Sequence, residues 1–298
     1  MESGEPLIYA NVFLDGSFIG TVTDSTGYFE LNTRGHSSLP LIVSSIGYET
    51  LKISDNYISD NLIIRLQKLE YELDEVTISP NTKNRKKYLR QFRREFLGTT
   101  KNASDCEILN EEVLFPFYNE ETKVLHVNAI KPIEIINHAL GFKIVYLLRS
   151  FKKTREGVNY KGFSLFLEQE AKNSVQQRKI QEQRKLAFNY SRINFIRELY
   201  SGSLLYSDYK LYDNLGNYME ANDILYTTDD NTKEICMEKS ARIYYDQAGK
   251  FSYFVLNQEC VEIEKNGYYN PDLITWFGDL ATHRVGDLMP YNYKPQVE

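Results

Sequence analysis

"GTVTDSTGYFELN", residues 20–32, decides the fold of the first part of the chain. Asp24, Gly27 and the polar residues between them suit either a cation-binding loop or a turn joining two strands. A calcium loop of the EF-hand type needs several oxygens at alternating positions and a distal Glu. Here Asp24 is the only carboxylate before Glu30. A turn needs less: an Asp that bonds the backbone two residues on, and a Gly that takes positive φ. "DSTG" is therefore predicted to be a turn. Gly20 and Val22 share a face with Asp24 before it, and Phe29 and Leu31 resume the inward pattern after it.

Outward from this turn, alternation is the dominant signal from Leu7 to Ile78. In "LIYANVFLDG", Ile8, Ala10, Val12 and Leu14 fall on one face at period two, and Asp15-Gly16 ends the run. "LPLIVSSIGYETLKIS" reads as strands at 39–46 and 48–54 hinged at Gly47, with "NLIIRLQK" and "LDEVTIS" completing the set. About seven short strands at a spacing of about 8–12 residues predict an antiparallel sandwich.

These residues also carry a family resemblance. Gly4, Pro6 and Leu7, then Ala10-Asn11-Val12, then Gly20-Thr21, Thr23-Asp24, Gly27, Phe29 and Leu31, and finally Ser45 with Gly47-Tyr48-Glu49-Thr50 resemble the carboxypeptidase regulatory-like domain. The resemblance covers about residues 3–79. It implies a seven-stranded transthyretin-like sandwich of the kind found in Gram-negative cell envelopes. "LEYELDEVTIS" is similar to the linker strand that follows this domain in TonB-dependent receptors, but 298 residues are too few for a receptor barrel. The regulatory domain is not the peptidase, so the name implies no hydrolysis.

The composition is that of an ordinary globular protein: 42% hydrophobic and 26% charged residues, with a formal charge of −6. A mildly acidic chain argues against nucleic acid as a partner. No apolar run approaches the roughly 18 residues of a membrane helix. "MESGEPLIYA" has neither a basic start nor an apolar stretch, so the chain is expected to be cytosolic or written without its export segment. Cys106, Cys236 and Cys260 form no disulfide framework and no CxxC. They read first as buried thiols, with a single Cys236–Cys260 bridge across neighbouring strands as the alternative. Tyr and Phe number 23 and 16 against one Trp, which points to half-buried strands before it points to a ligand.

Residues 80–100 are predicted to be a helical linker. In "NTKNRKKYLRQFRREFLG", Tyr88, Leu89, Phe92, Phe96 and Leu97 recur at helical spacing, and Gly98 closes the run. Lys83, Arg85, Lys86, Lys87, Arg90, Arg93 and Arg94 place seven basic groups in twelve residues. That patch fits a polyanion or anionic lipid, but a solvated face on an interdomain helix is the simpler reading.

Residues 101–298 are predicted to form an α+β domain with a largely antiparallel sheet and one long helix. Strands are expected at "EEVLFPFYN", "KVLHVNAI", "LGFKIVYLLRSF" and "KGFSLFLEQEA", with a short helix from Pro132 to Gly141. The long helix spans 173 to about 200, followed by Tyr-rich strands in "SLLYSDYKLYD", "ARIYYDQ" and "KFSYFVLN". "NPDLITWFGDLATHRVGDLMPYNYKP" reads as an extended, ordered loop. "FLGTTKNASDCEILN", "LGFKIVYLL", Arg184 with Ala187-Phe188, Phe195-Ile196-Arg197 and "HRVGDLMPYNYKP" resemble an uncharacterised domain that accompanies the regulatory-like sandwich in exported Gram-negative proteins. Similar proteins carry a Gly-Ser and a His between the Arg-Ala and Phe-Arg blocks, where this chain has "NYSRIN".

Known catalytic constellations are hard to find. None of His36, His126, His138 and His283 has a Glu three residues on, and no HExxH, GxSxG or P-loop occurs. Ser150 and Lys153 fit SxxK, a match expected by chance at this chain's ordinary Lys and Ser content, and the companion motifs of that enzyme class are absent. Glu111-Glu112, Glu120-Glu121 and Asp229-Asp230 sit in polar runs that read as loops. Asp279 and Asp287 flank His283 and Arg284 in the tail; loop anchoring is the simpler reading beside an acid–base site. Tyr206, Tyr209, Tyr212, Tyr244, Tyr245 and Tyr253 are candidates for stacking on sugars, weighed against cross-strand packing.

No catalytic, cofactor-binding or metal-ligating residue is assigned, and no cofactor. The sequence leads to a non-catalytic protein of the periplasm or cell surface that binds a protein or glycan partner. The alternative is a hydrolase of an envelope or dietary polymer acting through the tail's Asp and His.

Overall fold

The computed structural model describes residues 4–54, 61–69, 82–238 and 240–295. The chain is mostly β, with several antiparallel sheets and a few helices. It divides into two compact units, the first ending at Lys172 and the second starting at Asn173. The expected 101–298 domain is thus split: its first seventy residues pack with the N-terminal sheet.

In the first unit, β1 (Asn11–Leu14), β2 (Gly20–Val22), β3 (Leu41–Ser44) and β4 (Leu51–Ile53) form a sheet in the order β2-β1-β3-β4. Residues 61–69 lie beside 47–49 through the Tyr48–Lys68 bridge, and the expected strand "LDEVTIS" lies outside the described residues. The turn itself is as expected, but no strand follows it at residues 28–32, and Thr23 rather than Val22 is buried before it. Asp24 Oδ1 accepts from Thr26 N–H at 2.8 Å and Tyr28 N–H at 3.0 Å, and Gly27 has φ 76°.

Val12, Phe13 and Leu14 are all buried, so β1 is covered on both faces and its apolar run is continuous. Phe13 and Ile42 meet Leu147 in a small core of their own. Leu147 belongs to β9 (Phe142–Lys153), which follows β5 (Cys106–Ile108), β6 (Leu114–Asn119), β7 (Val124–Ala129) and β8 (Ile133–Asn137) and pairs with β10 (Val158–Glu168). These six strands form the second sheet. The helix expected at 132–141 is instead β8: Ile133, Ile135 and Asn137 are buried at period two against β9. Helix α1 (Thr82–Leu97) buries Tyr88, Leu89, Phe92, Phe96 and Leu97 as its spacing implies. Phe92 meets Phe151 edge-on at 4.8 Å, and Phe96 meets Tyr146 at 5.0 Å. A single-turn helix, α2 (Lys101–Ser104), follows.

In the second unit the expected helix of 173–200 is two helices, α3 (Ser174–Asn189) and α4 (Arg192–Ser201). Ser191 breaks it by capping α4, its Oγ accepting from Asn194 N–H at 3.0 Å. Gly202 ends α4 at φ 71°. The strands are β11 (Tyr209–Tyr212), β12 (Tyr218–Met219), β13 (Leu225–Thr227), β14 (Lys233–Cys236), β15 (Ala241–Tyr245), β16 (Lys250–Leu256), β17 (Cys260–Ile263) and β18 (Ile274–Gly278). They form one sheet in the order β12-β11-β15-β16-β18 and another in the order β13-β14-β17. The tail expected to be a loop therefore contributes β18 and a short helix, α5 (Asp279–Thr282). Ile274 and Trp276 alternate inward there, which is enough to seat a strand on β16. Cys236 and Cys260 face each other across β14 and β17 and are disulfide-bonded, whereas buried thiols were the first expectation; Cys106 stays a thiol.

Candidate functional site

The five-stranded sheet of the second unit has two chemically different faces. Inward, Tyr209, Leu211, Ile243, Tyr245, Phe254 and Trp276 join the core around Phe195 of α4. Strand alternation then points every second residue outward. Cross-strand partners place Tyr218 beside Tyr212, Tyr212 beside Arg242, Arg242 beside Tyr253, and Tyr253 beside Phe277. One row thus crosses all five strands, and Lys210, Tyr244 and Phe251 form a shorter second row. Tyr218, Tyr244, Phe251 and Phe277 remain between 38% and 47% exposed although they sit in a sheet.

The rings are held by each other. Tyr253 and Phe277 stack at 4.6 Å, Tyr212 and Tyr218 meet edge-on at 5.9 Å, and Phe251 lies 6.4 Å from Tyr253. Arg242 is exposed and makes no hydrogen bond or ion pair among the described residues.

Of the six Tyr that the sequence offers for stacking, Tyr212, Tyr244 and Tyr253 lie on this face and Tyr206 is exposed in a turn. Tyr209 and Tyr245 point into the core instead. Burial pushes the phenol of Tyr209 well up, and its Oη donates to Asn189 O at 2.6 Å. Tyr218, Phe251, Phe277 and Arg242 were missed. The alternation of "ARIYYDQ" and "KFSYFVLN" carried the signal for Arg242 and Phe251, since each falls in phase with a Tyr already noted.

The tail's Asp279 and His283 lie near enough to feel each other's charge, but at an anchor. Tyr190, at the end of α3, packs on Tyr245 at 4.8 Å and meets the edge of His283 at 5.3 Å, with Lys250 Nζ 4.8 Å over its ring. Its Oη lies 3.2 Å from Ser252 Oγ, which accepts from Leu280 N–H at 2.9 Å. Asp279 accepts from Phe251 N–H at 3.0 Å, and Arg192 donates to Leu280 O at 2.7 Å and His283 O at 3.3 Å. Burial raises Tyr190 to about 12. Burial, then the nearby Arg192 and Lys250 cations, lower His283 to about 4, against the pull of Asp279. A base this weak and a phenol this reluctant are poorly matched to proton transfer near neutrality. Ser252 has no exposed surface at all. Asp287 is buried in the next turn rather than in this cluster.

The other candidates are dispersed. Ser150 and Lys153 are three apart on a strand, which puts them on opposite faces. His126 sits in β7, its pKa lowered by burial and then by Lys152, and His138 lies 3.8 Å from Glu107 on the surface. Glu111 pairs with Arg93 at 2.6 Å and Glu120 with Lys123 at 3.4 Å, while Asp230 accepts from Thr232 N–H at 3.2 Å in a turn. On α1, Arg85 donates to Glu111 O and Leu114 O, whereas Lys86, Lys87 and Arg90 face solvent. The Glu234 carboxylate lies within 4.8 Å of both Cys236 and Cys260 sulfurs. Those sulfurs are bonded to each other and offer no thiolate to a metal. Two open clefts of about 470 and 420 Å³ contain neither His nor Asp.

Residues 1–78 match the family model described as the CarboxypepD_reg-like domain. The chain therefore begins with a carboxypeptidase regulatory-like domain, and the strands described within it are antiparallel. No curated protein and no solved structure matches the chain. Among the described residues no helix is long and apolar enough to cross a membrane.

Proposed function

We propose that this is a non-catalytic cell-envelope protein that binds a protein or glycan partner through the outer face of the five-stranded sheet. The observation that carries this reading is the row Tyr218, Tyr212, Arg242, Tyr253 and Phe277, aligned across five strands, with Tyr218, Arg242 and Phe277 exposed and Tyr212 and Tyr253 half-buried. Half-exposed stacked rings offer apolar area with little side-chain entropy left to lose on binding.

The N-terminal domain is, in the same proposal, a seven-stranded transthyretin-like sandwich that accompanies the binding module. Periplasmic or cell-surface location is supported by the Cys236–Cys260 bridge, since disulfides persist in oxidising compartments. The hydrolase reading draws on the Asp279–His283 cluster, but Ser252 is sealed and His283 is too weak a base.

The test is a binding screen of the full chain against glycan arrays and envelope extract, repeated with Tyr253→Ala and Tyr244→Ala. Loss of capture with retained circular dichroism supports the face. Polymer turnover abolished by His283→Gln in a folded protein replaces the reading with the enzyme. Cell fractionation that finds the protein in the cytosol removes the envelope assignment.

A further inference from the structure

We propose that the occupant of this face is an extended acidic polysaccharide, lying across the strands along the Tyr218–Phe277 row. The inference rests on the binding face proposed above and names its ligand. Three observations choose the ligand: dimensions, ring chemistry and charge.

Five strands at about 4.8 Å give a row roughly 19 Å long, and two residues along each strand give a width of roughly 7 Å between rows. With the rings included, the strip covers on the order of 200 Å², about a quarter of the roughly 800 Å² each partner buries in a standard protein interface. A second copy of this chain or another folded protein therefore needs much more than the strip supplies. One extended sugar chain, a single unit wide, fits it.

The rings supply the contact such a chain requires. Tyr253 and Phe277 stack on each other within 5° of parallel, so each covers one face of the other and leaves its second face and its rim to the partly positive C–H groups on the flat side of a pyranose. The hydroxyls of Tyr212, Tyr218, Tyr244 and Tyr253 make no hydrogen bond among the described residues. They are left to meet sugar hydroxyls at the margins of the rings.

Charge makes the ligand acidic. Arg242 occupies the middle of the row, between Tyr212 and Tyr253, and Lys210 lies in the next row beside Tyr244. Lys210 reaches the Ser207 carbonyl at 3.2 Å and Arg242 has no acid partner. On a chain of formal charge −6, no carboxylate stands among the outward residues of these two rows. Asp213 is engaged by Asn217 and Asp279 by Phe251, both at the ends of strands. A guanidinium held at the centre of an aromatic row is placed for a carboxylate or sulfate on the sugar.

The experiment is calorimetry and affinity electrophoresis of the full chain with oligogalacturonate, alginate and chondroitin sulfate, beside methyl-esterified oligogalacturonate, xylan and mannan as neutral probes. Binding is expected to the acidic set and to fall as salt is raised. Arg242→Ala is expected to weaken it about tenfold or more, as loss of one charge-assisted contact does. Tyr253→Ala is expected to weaken it comparably, with unchanged circular dichroism. Equal binding of esterified and free oligogalacturonate, or indifference to Arg242→Ala, overturns the acidic ligand while leaving the face in place. A protein partner captured through Tyr253 with no glycan bound overturns the glycan. Glycan binding that survives both Tyr253→Ala and Phe277→Ala overturns the face itself, and so does an absence of any binding.

Discussion

Tyr253 and Phe277 lie face to face on neighbouring strands, ring centroids 4.6 Å apart and planes 5° from parallel, on the solvent side of the sheet. One residue further along each strand, Phe254 and Trp276 pair on the opposite side, buried at 5.2 Å. The two pairs share the same register and differ only in what they face. Phe277→Ala is expected to cost about 0.5–1.5 kcal/mol, the worth of one aromatic pair. Phe254→Ala opens a cavity and is expected to cost about 3–5 kcal/mol. Urea melts of the two variants check this; equal losses would mean that the outer pair is part of a core.

Gly162 marks a bulge between β10 and β9, and the Tyr146 ring lies where its side chain would be. A Cβ there would also strike the Leu147 carbonyl. Backbone cannot retreat as a side-chain tip can, so Gly162→Ala is expected to lower stability by about 2–3 kcal/mol, within the range of overpacked sites. A loss under about 0.5 kcal/mol by denaturant titration would show that the bulge absorbs the methyl group freely.

How far such features were legible depends on how local they are. The Asp24 turn could be read because its donors lie within four residues of the acceptor. The same Asp-x-x-Gly chemistry recurs unannounced at Asp213, whose Oδ1 takes Leu215 N–H and Asn217 N–H, both at 2.8 Å. Strand 133–137 was hidden by the Pro before it, a residue that also starts helices. The break at Ser191 was hidden by apolar periodicity that runs on through it, though Ser191 itself is a capping residue. The disulfide and the aromatic row are harder in kind. Cys236 meets Cys260, and Tyr253 meets Phe277, only through strand pairing. Alternation says which side a residue takes, never which neighbour it will have.

Asp15 ties the first turn to β10, accepting from Ser164 N–H at 2.8 Å, and burial raises its pKa to about 6 from 3.8. The amides of Ser164 and Gly16 and the charge of Lys52 oppose the rise without cancelling it. A raised folded pKa means that the native state holds this proton more tightly than the unfolded chain. Stability from this group is therefore greatest below about 4, declines as pH rises toward 6, and is flat above that. The span corresponds to roughly 3 kcal/mol. Asp15→Asn keeps an acceptor and removes the charge, so the difference between variant and parent is expected to grow in the variant's favour from pH 4 to pH 7. A constant difference across that range would show the carboxylate to be ionised and solvated.

Cys236–Cys260 closes a loop with a sequence separation of 24. A cross-link of that span is worth on the order of 3 kcal/mol through the unfolded chain. Reduction, or the Cys236→Ser/Cys260→Ser pair, is expected to lower the melting temperature of the second unit, by several degrees for a unit of about this size. The first unit is expected to melt unchanged, which makes it the internal control. Calorimetry with and without reductant resolves the two transitions. Insensitivity of both would remove the bridge and with it the support it lends to an oxidising compartment.

His283 decides between anchor and base. Burial, reinforced by the Arg192 and Lys250 charges, lowers it to about 4 from 6.5, with Asp279 pulling the other way. A depressed folded pKa means that the native state prefers the neutral ring. Its contribution is complete above 6.5 and is lost as pH falls from there toward 4, an effect of up to roughly 3 kcal/mol. His283→Gln carries no such proton, so its stability relative to the parent is expected to improve steadily across that window. The carbonyls that Arg192 holds at Leu280 and His283 belong to the backbone and survive the change. An NMR titration of the imidazole measures the same quantity directly. A midpoint below about 5 fits a ring packed edge-on against Tyr190, whereas a midpoint near 7 would put a working base beside Asp279 and return the hydrolase to consideration.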